Sequence, residues 1–269
     1  MSDLNVFERR WDEQGYFVIK NFADKMTTRR LRDSLKDHLL KEDLKRNHSI
    51  FLGSKDKQNA DRYFHDSWEK VSYFYEEDFS IKDKSPEELY YGLNKVGHGL
   101  HLHLEHFKKF AMDSRLPEIA AYAGITDMEI MQSMVIFKWP GIGGEVDAHQ
   151  DQTYLYTDPH PVCGFWIALE DANTDNSCLW VETGGHKKGL SRRYFRNGDK
   201  TWFENYESEH CWSKMEPVRV VEGDLIFFNG LLPHGSKKNT SKKSRQALTF
   251  HVKDRSWEFS PANWPIGKM

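Results

Sequence analysis

The chain has 269 residues, enough for a sizeable core, and its 41 acidic and 38 basic residues nearly cancel, so no positive field attracts nucleic acid. The three cysteines, Cys163, Cys178 and Cys211, are far apart, which argues for a reducing compartment and against a disulfide framework. The N-terminus lacks an apolar leader and no segment could cross a bilayer, so we predict a cytoplasmic protein, monomeric by default, without a membrane or nucleic-acid partner.

Helix and strand patterns alternate over the first 40 residues. Apolar residues at helical spacing predict a first helix that ends at Gly15, and GYFVIKNF after it is typical of a strand. Thr27 or Thr28 is the expected N-cap of a second helix, whose apolar stripe runs from Leu31 to Leu39. We therefore expect this segment to pack one helix face against a sheet.

The next part of the chain mixes a polar segment with shorter elements. Residues 45–66 are polar and irregular, which predicts a surface loop, and VSYFYE over 71–76 predicts a strand. Ser85 and Glu88 form a capping-box pattern around a proline, which predicts the start of a helix. A short helix is expected over residues 115–125.

From about residue 128 the pattern changes to short apolar runs separated by turn residues. The turn residues EGD between Val220 and Leu225 predict a tight hairpin. Many short strands with Gly-rich turns favour a sandwich or jelly roll. We predict a mainly β fold in one domain, residues 1–269, with a helix-rich part over about 1–125 and a jelly-roll core over about 126–255.

The segment EVDAHQDQTY, residues 145–154, carries the first candidate metal ligands. In an extended strand, His149 and Asp151 project from the same face, roughly 6.6 Å apart along the backbone. One further histidine would complete a triad of two imidazoles and one carboxylate, which suits Fe(II). The HxD pattern alone is weak, because a surface strand with polar side chains gives the same sequence.

The segment GDLIFFNGLLPHGSKKNTSKKSRQALTFH, residues 223–251, supplies two more candidates. His234 follows an apolar run, and Arg245 follows eleven residues later, after a polar turn. We expect the two residues on neighbouring strands, so that a dicarboxylate bound to iron at one end could meet the planar guanidinium at the other. Taken singly, His234 could be a satisfied core or loop histidine and Arg245 an exposed salt-bridge partner.

Several motifs together resemble one known family. They are GYFVIKNF, NKVGHGLHLH, QSMVIFKWPGIGGEVDAHQD, LYTDP, GFWIALEDA, SCLWVETGGHKKGLSRR, GDLIFFNGLLPHGSKKN, SRQALTFH and SPANW. The set resembles the phytanoyl-CoA hydroxylase family of Fe(II)- and 2-oxoglutarate-dependent dioxygenases, and within it the branch of phytanoyl-CoA dioxygenase domain-containing proteins. The likeness spans most of the chain.

The resemblance implies a double-stranded β-helix with a defined set of site residues. The iron ligands it implies are His149, Asp151 and His234, and the residues implied for 2-oxoglutarate are Lys95, Met134, Trp166 and Arg245, with Arg245 on the distal carboxylate. The implied cofactors are Fe(II), 2-oxoglutarate and O2, with ascorbate as an optional reductant. The implied reaction is hydroxylation of a small organic substrate, such as an acyl-CoA or a carboxylic acid, with release of succinate and CO2.

Asp151 separates this reaction from a related one. In halogenating relatives a small residue replaces the carboxylate and a halide takes the vacant iron position, so Asp151 favours hydroxylation. Two basic stretches, 186–196 and 237–245, are most simply solvated surface, but could also attract an anionic substrate. Residues 45–84 and 197–216 are expected to shape the substrate pocket.

Two other readings of the sequence stay open. The first is a catalytically silent sensor that binds iron and 2-oxoglutarate without turnover. The second is a zinc or cupin-type site in HGLHLHLEH, residues 98–106, which holds four of the thirteen histidines. The spacing there is poor for a metal motif, because Glu105 follows His103 by two residues and no two histidines are four apart on a helix. The family resemblance implies that His98 and His101 lie beside the pocket without binding iron.

Overall fold

The computed structural model describes residues 2–46, 48–51, 62–198, 200–206 and 212–263. Cys211 and Trp264, which belong to segments considered above, lie outside these residues; Cys163 and Cys178 are buried and free. Within the described residues the α-helices are α1 (Ser2–Gln14), α2 (Lys25–Leu39), α3 (Arg62–His65), α4 (Pro86–Tyr90), α5 (Leu100–His103), α6 (Glu105–Ala111) and α7 (Arg115–Ala120). None of them is both long and apolar enough to span a membrane.

Strands make up most of the remaining regular structure. They are β1 (Tyr16–Ile19), β2 (His48–Phe51), β3 (Val71–Glu76), β4 (Leu93–His98), β5 (Met128–Lys138), β6 (Val146–His149), β7 (Thr157–Asp158), β8 (Cys163–Ala168), β9 (Leu179–Val181), β10 (Arg192–Asn197), β11 (Lys200–Asn205), β12 (Glu216–Val218), β13 (Leu225–Asn229), β14 (His234–Ser236), β15 (Arg245–Asp254) and β16 (Glu258–Phe259).

Two sheets pack face to face and enclose the candidate site. Eight strands form the larger sheet in the order β1-β13-β8-β15-β5-β4-β3-β2, and four form the smaller one in the order β12-β9-β14-β6. Within these two sheets all neighbours are antiparallel except β2 and β3, which are parallel. The predicted mainly β class with a jelly-roll core is confirmed. Four strands of the larger sheet, β1 to β4, come from the helix-rich first half.

The strand β15 illustrates how the sequence divides the interior, because alternate side chains of a strand face opposite ways. Leu248 and Phe250 face the helices and join the core that α2, α6 and α7 cover. Ala247 faces the other way, into a second apolar cluster shared by the two sheets. Thr249 and His251 also face this side and line the pocket between the sheets. The larger sheet therefore packs on helices with one face and builds the site with the other.

Local predictions in the first half are partly confirmed. The capping box at Ser85 is present, since its hydroxyl accepts from the Glu88 amide while Glu88 accepts from the Ser85 amide. The predicted N-cap of α2 is wrong, because Asp24 takes that role and its carboxylate accepts from the Thr27 amide at 2.7 Å. The predicted loop over 45–66 is interrupted by β2 and α3 in the residues described there.

The predicted hairpin between Val220 and Leu225 is also wrong. A turn is present, with Gly223 at a φ of 91°, where an added Cβ would lie 2.1 Å from the Ala23 carbonyl oxygen. The strands on either side belong to different sheets, since β12 pairs with β9 while β13 pairs with β1 and β8. The turn carries the chain from one sheet to the other, which turn residues alone do not reveal.

Candidate metal centre

His149 and His234 face each other across a pair of antiparallel strands in the smaller sheet. His149 is the last residue of β6 and His234 the first of β14, and the two are directly paired in register. Their ring centroids lie 4.4 Å apart. Gly235 permits this approach, because a Cβ there would lie 2.8 Å from the Val146 carbonyl oxygen. The small residue after His234 thus lets the two strands close on the site.

Asp151 completes the group from outside the strand. The predicted extended HxD geometry is wrong, because β6 ends at His149 and Asp151 begins a 3-10 turn over Asp151–Thr153. The turn nevertheless directs the carboxylate to both imidazoles. Asp151 Oδ1 lies 3.5 Å from His149 Nε2 and 3.7 Å from His234 Nε2. One candidate ligand atom from each of the three residues lies within 4.8 Å of the others.

Both imidazoles turn the same nitrogen toward the carboxylate. His149 Nδ1 lies 2.7 Å from the Asp147 carbonyl oxygen, and His234 Nδ1 lies 3.0 Å from that of Leu232. A carbonyl oxygen only accepts, so each Nδ1 carries the proton and donates. The lone pair is then at Nε2, which is the arrangement that a metal-binding histidine requires.

The Asp151 carboxylate is held in its charged form although it is buried, with only 6% of the residue exposed. Burial alone would raise its pKa, but the imidazoles of His251, His234 and His149 together hold the pKa well below its usual range. Asp151 Oδ2 accepts from His251 Nε2 at 2.9 Å. Asp151 therefore offers a charged oxygen, and the two imidazoles each offer Nε2 once they are deprotonated, a donor set that suits Fe(II) and leaves further coordination positions open.

Arg245 approaches the pocket from the larger sheet. The prediction that it neighbours His234 on adjacent strands is wrong, because β14 pairs with β6 and β9 while β15 pairs with β5 and β8. The two strands follow each other in sequence but belong to facing sheets. Both residues still line the same cavity. The eight-residue connection over 237–244 crosses between the sheets.

The Arg245 guanidinium forms a hydrogen bond through Nε and can donate to a ligand through Nη1. Its Nε donates to the Ser177 carbonyl oxygen at 2.8 Å, while the buried Nη1 has no hydrogen-bond partner among the described residues. Burial lowers the pKa of Arg245 to about 10, so the group keeps its charge near neutral pH. A buried, charged and incompletely satisfied guanidinium is suited to a carboxylate ligand.

The other three residues implied for the cosubstrate line the same cavity, whose volume is about 120 Å³. Met134 and Trp166 are both in register with Thr249, so the three form one row across β5, β15 and β8. Trp166 also lies beneath Arg245, with the guanidinium carbon 5.5 Å from its ring centroid. Lys95 reaches the cavity from β4, with its Nζ 3.5 Å from the Phe51 ring centroid. All seven residues predicted for the site thus meet at one cavity.

The pocket also contains residues that the sequence did not single out. Thr249, His251 and Gln132 line it, and the Ser177 carbonyl orients Arg245. The alternation of β15 from Arg245 through Ala247 and Thr249 to His251 is the signal that could have found two of them. Phe51 and Phe64 line the cavity from the expected segment 45–84. Residues 52–61 and 207–211 of the expected pocket segments lie outside the described residues.

The histidines of 98–106 do not converge. His98 Nδ1 lies 2.8 Å from Ser67 Oγ, and His101 Nδ1 lies 2.7 Å from Ser133 Oγ. His103 Nε2 contacts the Glu69 carbonyl oxygen, and His106 is exposed. In the described part of the chain, the grouping of potential ligands that could hold a metal is the one at residues 149, 151 and 234.

Comparisons with known proteins match this geometry. The family model described as phytanoyl-CoA dioxygenase (PhyH) matches residues 11–247. The chain belongs to the phytanoyl-CoA dioxygenase family. It is 40% identical over 255 residues to the phytanoyl-CoA dioxygenase of Arabidopsis thaliana, which covers 93% of this chain and 89% of that protein. It is 34% identical over 277 residues to phytanoyl-CoA dioxygenase domain-containing protein 1 of Danio rerio, covering 98% and 94%.

The family membership identifies the chain as an enzyme of the dioxygenase class. Among solved structures it is similar to the epimerase SnoN, crystallised with Fe3+, alpha ketoglutarate and nogalamycin RO. That similarity has a TM-score of 0.64 at 15% identity and covers 97% of this chain and 87% of SnoN. At this identity it supports the fold of this phytanoyl-CoA dioxygenase family member and says nothing of its substrate.

Proposed function

We propose that the protein is an Fe(II)- and 2-oxoglutarate-dependent dioxygenase that hydroxylates a small organic substrate and releases succinate and CO2. The observation that carries the proposal is the convergence of His149 Nε2, His234 Nε2 and Asp151 Oδ1 in a cavity that also contains a buried guanidinium. Iron, 2-oxoglutarate and O2, with ascorbate as an optional reductant, would together supply the oxidising chemistry.

The residues of the chain would divide the work of binding between two sheets. The smaller sheet and the turn after it would hold the metal through His149, Asp151 and His234. The larger sheet would hold 2-oxoglutarate, because Arg245 offers its Nη1 to the distal carboxylate and Lys95 adds a second positive charge in the cavity. The metal and the anchor would thus approach one cavity from facing sheets.

The apolar lining would exclude water from the reaction and select the substrate. Phe51, Phe64, Met134, Leu155 and Trp166 contribute this lining. A dry site strengthens the attraction between Arg245 and a carboxylate and limits competing reactions of the bound oxidant.

For the substrate itself we propose an acyl-CoA or a small carboxylic acid. The basic stretch 186–196 supports an anionic group, because Arg192 packs over the Phe203 ring at 3.5 Å and Phe203 contacts the cavity-lining Tyr154. If this stretch attracts the substrate, the joint neutral substitutions Lys187→Gln, Lys188→Gln, Arg192→Gln and Arg193→Gln weaken acyl-CoA binding. Unchanged affinity would show that this basic stretch does not attract the acyl-CoA.

Succinate release measured with Fe(II), 2-oxoglutarate and a panel of acyl-CoAs, free acids and small metabolites tests the function. We expect slow release without substrate and faster release with the true substrate. The Arg245→Met variant should lose most of the release at low 2-oxoglutarate concentration. Iron and 2-oxoglutarate binding without any release, across the panel and in its absence, would favour the catalytically silent sensor instead.

A further inference from the structure

The two oxygens of the Asp151 carboxylate have different partners. Oδ1 faces His149 Nε2 and His234 Nε2 at 3.5 and 3.7 Å, whereas Oδ2 accepts from His251 Nε2 at 2.9 Å. His251 is not itself within the ligand group. A carboxylate without such a partner could rotate about its Cβ–Cγ bond and exchange its oxygens. The contact with His251 therefore selects which oxygen faces the imidazoles.

The proton on His251 is assigned by its two neighbours. A carboxylate only accepts, so Nε2 must carry the proton that is donated to Asp151. Neutral imidazole then has its lone pair at Nδ1, and Gln132 Nε2 lies 2.7 Å from that atom. A carboxamide nitrogen only donates, so this contact matches the required polarity. For a neutral His251, one orientation of Gln132 and one tautomer satisfy both hydrogen bonds, and Nε2 donates to Asp151 in either protonation state.

Strand pairing positions Gln132 and His251, just as it positions the ligands His149 and His234. His251 on β15 and Gln132 on β5 are directly paired across the two strands. The register shifts immediately afterwards, between His251 and Val252, and such bulges redirect side chains next to active sites. Gln132, His251 and Asp151 are 3%, 7% and 6% exposed, so water cannot easily replace either hydrogen bond.

We propose that His251, oriented by Gln132, is a positioning residue that presents Asp151 to the metal through Oδ1 alone. By occupying Oδ2, it would prevent the carboxylate from binding the metal through both oxygens and so keep a coordination position open for the cosubstrate or O2. Groups that orient a ligand in this way typically change metal affinity 10–100-fold when they are removed, about as expected here. The inference rests on the proposed metal site.

The test measures Co(II) binding without 2-oxoglutarate or substrate, by competition with a chelator, together with the ligand-field absorption of bound Co(II). His251→Phe keeps a ring but removes the donor, and we expect the dissociation constant to rise about 10–100-fold and the spectrum to change. His251→Gln restores a nitrogen donor toward Asp151, and we expect it to recover most of the affinity. Gln132→Met removes the donor to Nδ1 and should give a smaller loss of the same kind.

The matched control is His101→Phe, the same substitution of a histidine that bonds to Ser133, the neighbour of Gln132, and not to Asp151. It should bind Co(II) as wild type does. If His251→Phe does not fold, as judged by its thermal transition, Gln132→Met decides, since it leaves His251 in place. Unchanged affinity and spectrum in the folded variants would overturn the proposal, and so would a His251→Gln variant as impaired as His251→Phe. Failure of wild type to bind Co(II), or full binding by His149→Ala, would instead overturn the metal site itself.

Discussion

The histidines of residues 98–106 and the pair His149 and His234 differ in whether they converge on one point. Residues 98–106 hold four histidines within nine positions, yet the described hydrogen bonds of their imidazoles go to serine hydroxyls and a backbone carbonyl. His149 and His234 are 85 positions apart in the chain, yet their Nε2 atoms face the same carboxylate oxygen. Density of histidine in the sequence is thus a poor guide to a metal site.

The difference lies in what each imidazole faces, because His98 and His101 also form their hydrogen bonds through Nδ1. At the metal centre both Nδ1 atoms donate to carbonyl oxygens two residues earlier, so both Nε2 atoms point into the cavity. In the 98–106 region, burial lowers the pKa of His101 to about 4 and that of His98 well below its usual range. Those two histidines are therefore neutral and locally hydrogen-bonded, although His98 also lines the cavity that contains the metal centre.

The largest expected effect is the loss of metal binding when a ligand is replaced. Replacing His149 or His234 with alanine removes one of three ligands, and we expect Fe(II) or Co(II) binding to fall below detection in equilibrium titration. The double substitution His101→Ala and His103→Ala in the other region should leave the affinity unchanged. The opposite pattern would support the zinc or cupin-type reading of residues 98–106.

Removal of the metal should lower the stability of the protein, and this loss should depend on the ligands His149, Asp151 and His234 and not on residues 98–106. A ligand at 100 times its dissociation constant stabilises the folded state by about 2.7 kcal/mol, which corresponds to about 5–10 °C in melting temperature for a chain of this size. We expect a chelator to lower the melting temperature of metal-loaded wild type by this amount. The shift should persist in His101→Phe and vanish in His234→Ala; a shift that survives in His234→Ala would contradict the proposed ligands.

Two buried cations, one near each region, differ in how completely their hydrogen-bonding groups are satisfied. Lys253, which shares a small cavity with His101, pairs with Glu129 at 3.0 Å, whereas Arg245 Nη1 has no partner in the part of the chain that the structure describes. Arg245→Met should weaken 2-oxoglutarate binding by about 2 kcal/mol, roughly 30-fold, while metal affinity is retained. Lys253→Met is the control and should keep 2-oxoglutarate affinity, provided that its fold is intact by circular dichroism.

The smallest expected effect concerns protons in the 98–106 region. The pKa of His101 falls from 6.5 to about 4 on folding, so the unfolded chain binds the proton more tightly. The neutral, buried His101 therefore stabilises the folded state fully above about pH 6.5. This stabilisation is lost as the pH falls toward 4, because the unfolded chain takes up the proton first. Between pH 7 and 5, the free energy of unfolding of the metal-free protein should fall less in His101→Phe than in wild type, by up to about 2 kcal/mol, as measured by denaturant unfolding. Equal sensitivity would mean that His101 is not buried as described.

The sequence alone predicted the fold class and the set of residues that line the cavity. Both predictions follow from patterns that can be read in the sequence. Strand alternation and turn residues predict a jelly roll, and the seven residues implied by family resemblance all line the cavity. The roles of those seven residues remain predictions for the experiments above.

The sequence was insufficient for how the residues arrive at the cavity. Asp151 leaves the strand because a 3-10 turn forms there, stabilised by the Gln152 amide donating to the Gly230 carbonyl oxygen, 78 positions away in the chain. His234 and Arg245 belong to facing sheets because the 237–244 connection crosses between them, and its length alone allows either arrangement. His251 gains its role from its partners on β5 and in the turn, which no local motif encodes.

The strand β15 lies in the middle of the larger sheet, between β5 and β8, and carries both Arg245 and His251. Backbone amides in so interior a strand exchange with solvent mainly when the whole domain opens. The anchor and the carboxylate support should therefore remain ordered in the absence of ligands, and denaturation should abolish both functions in a single cooperative step.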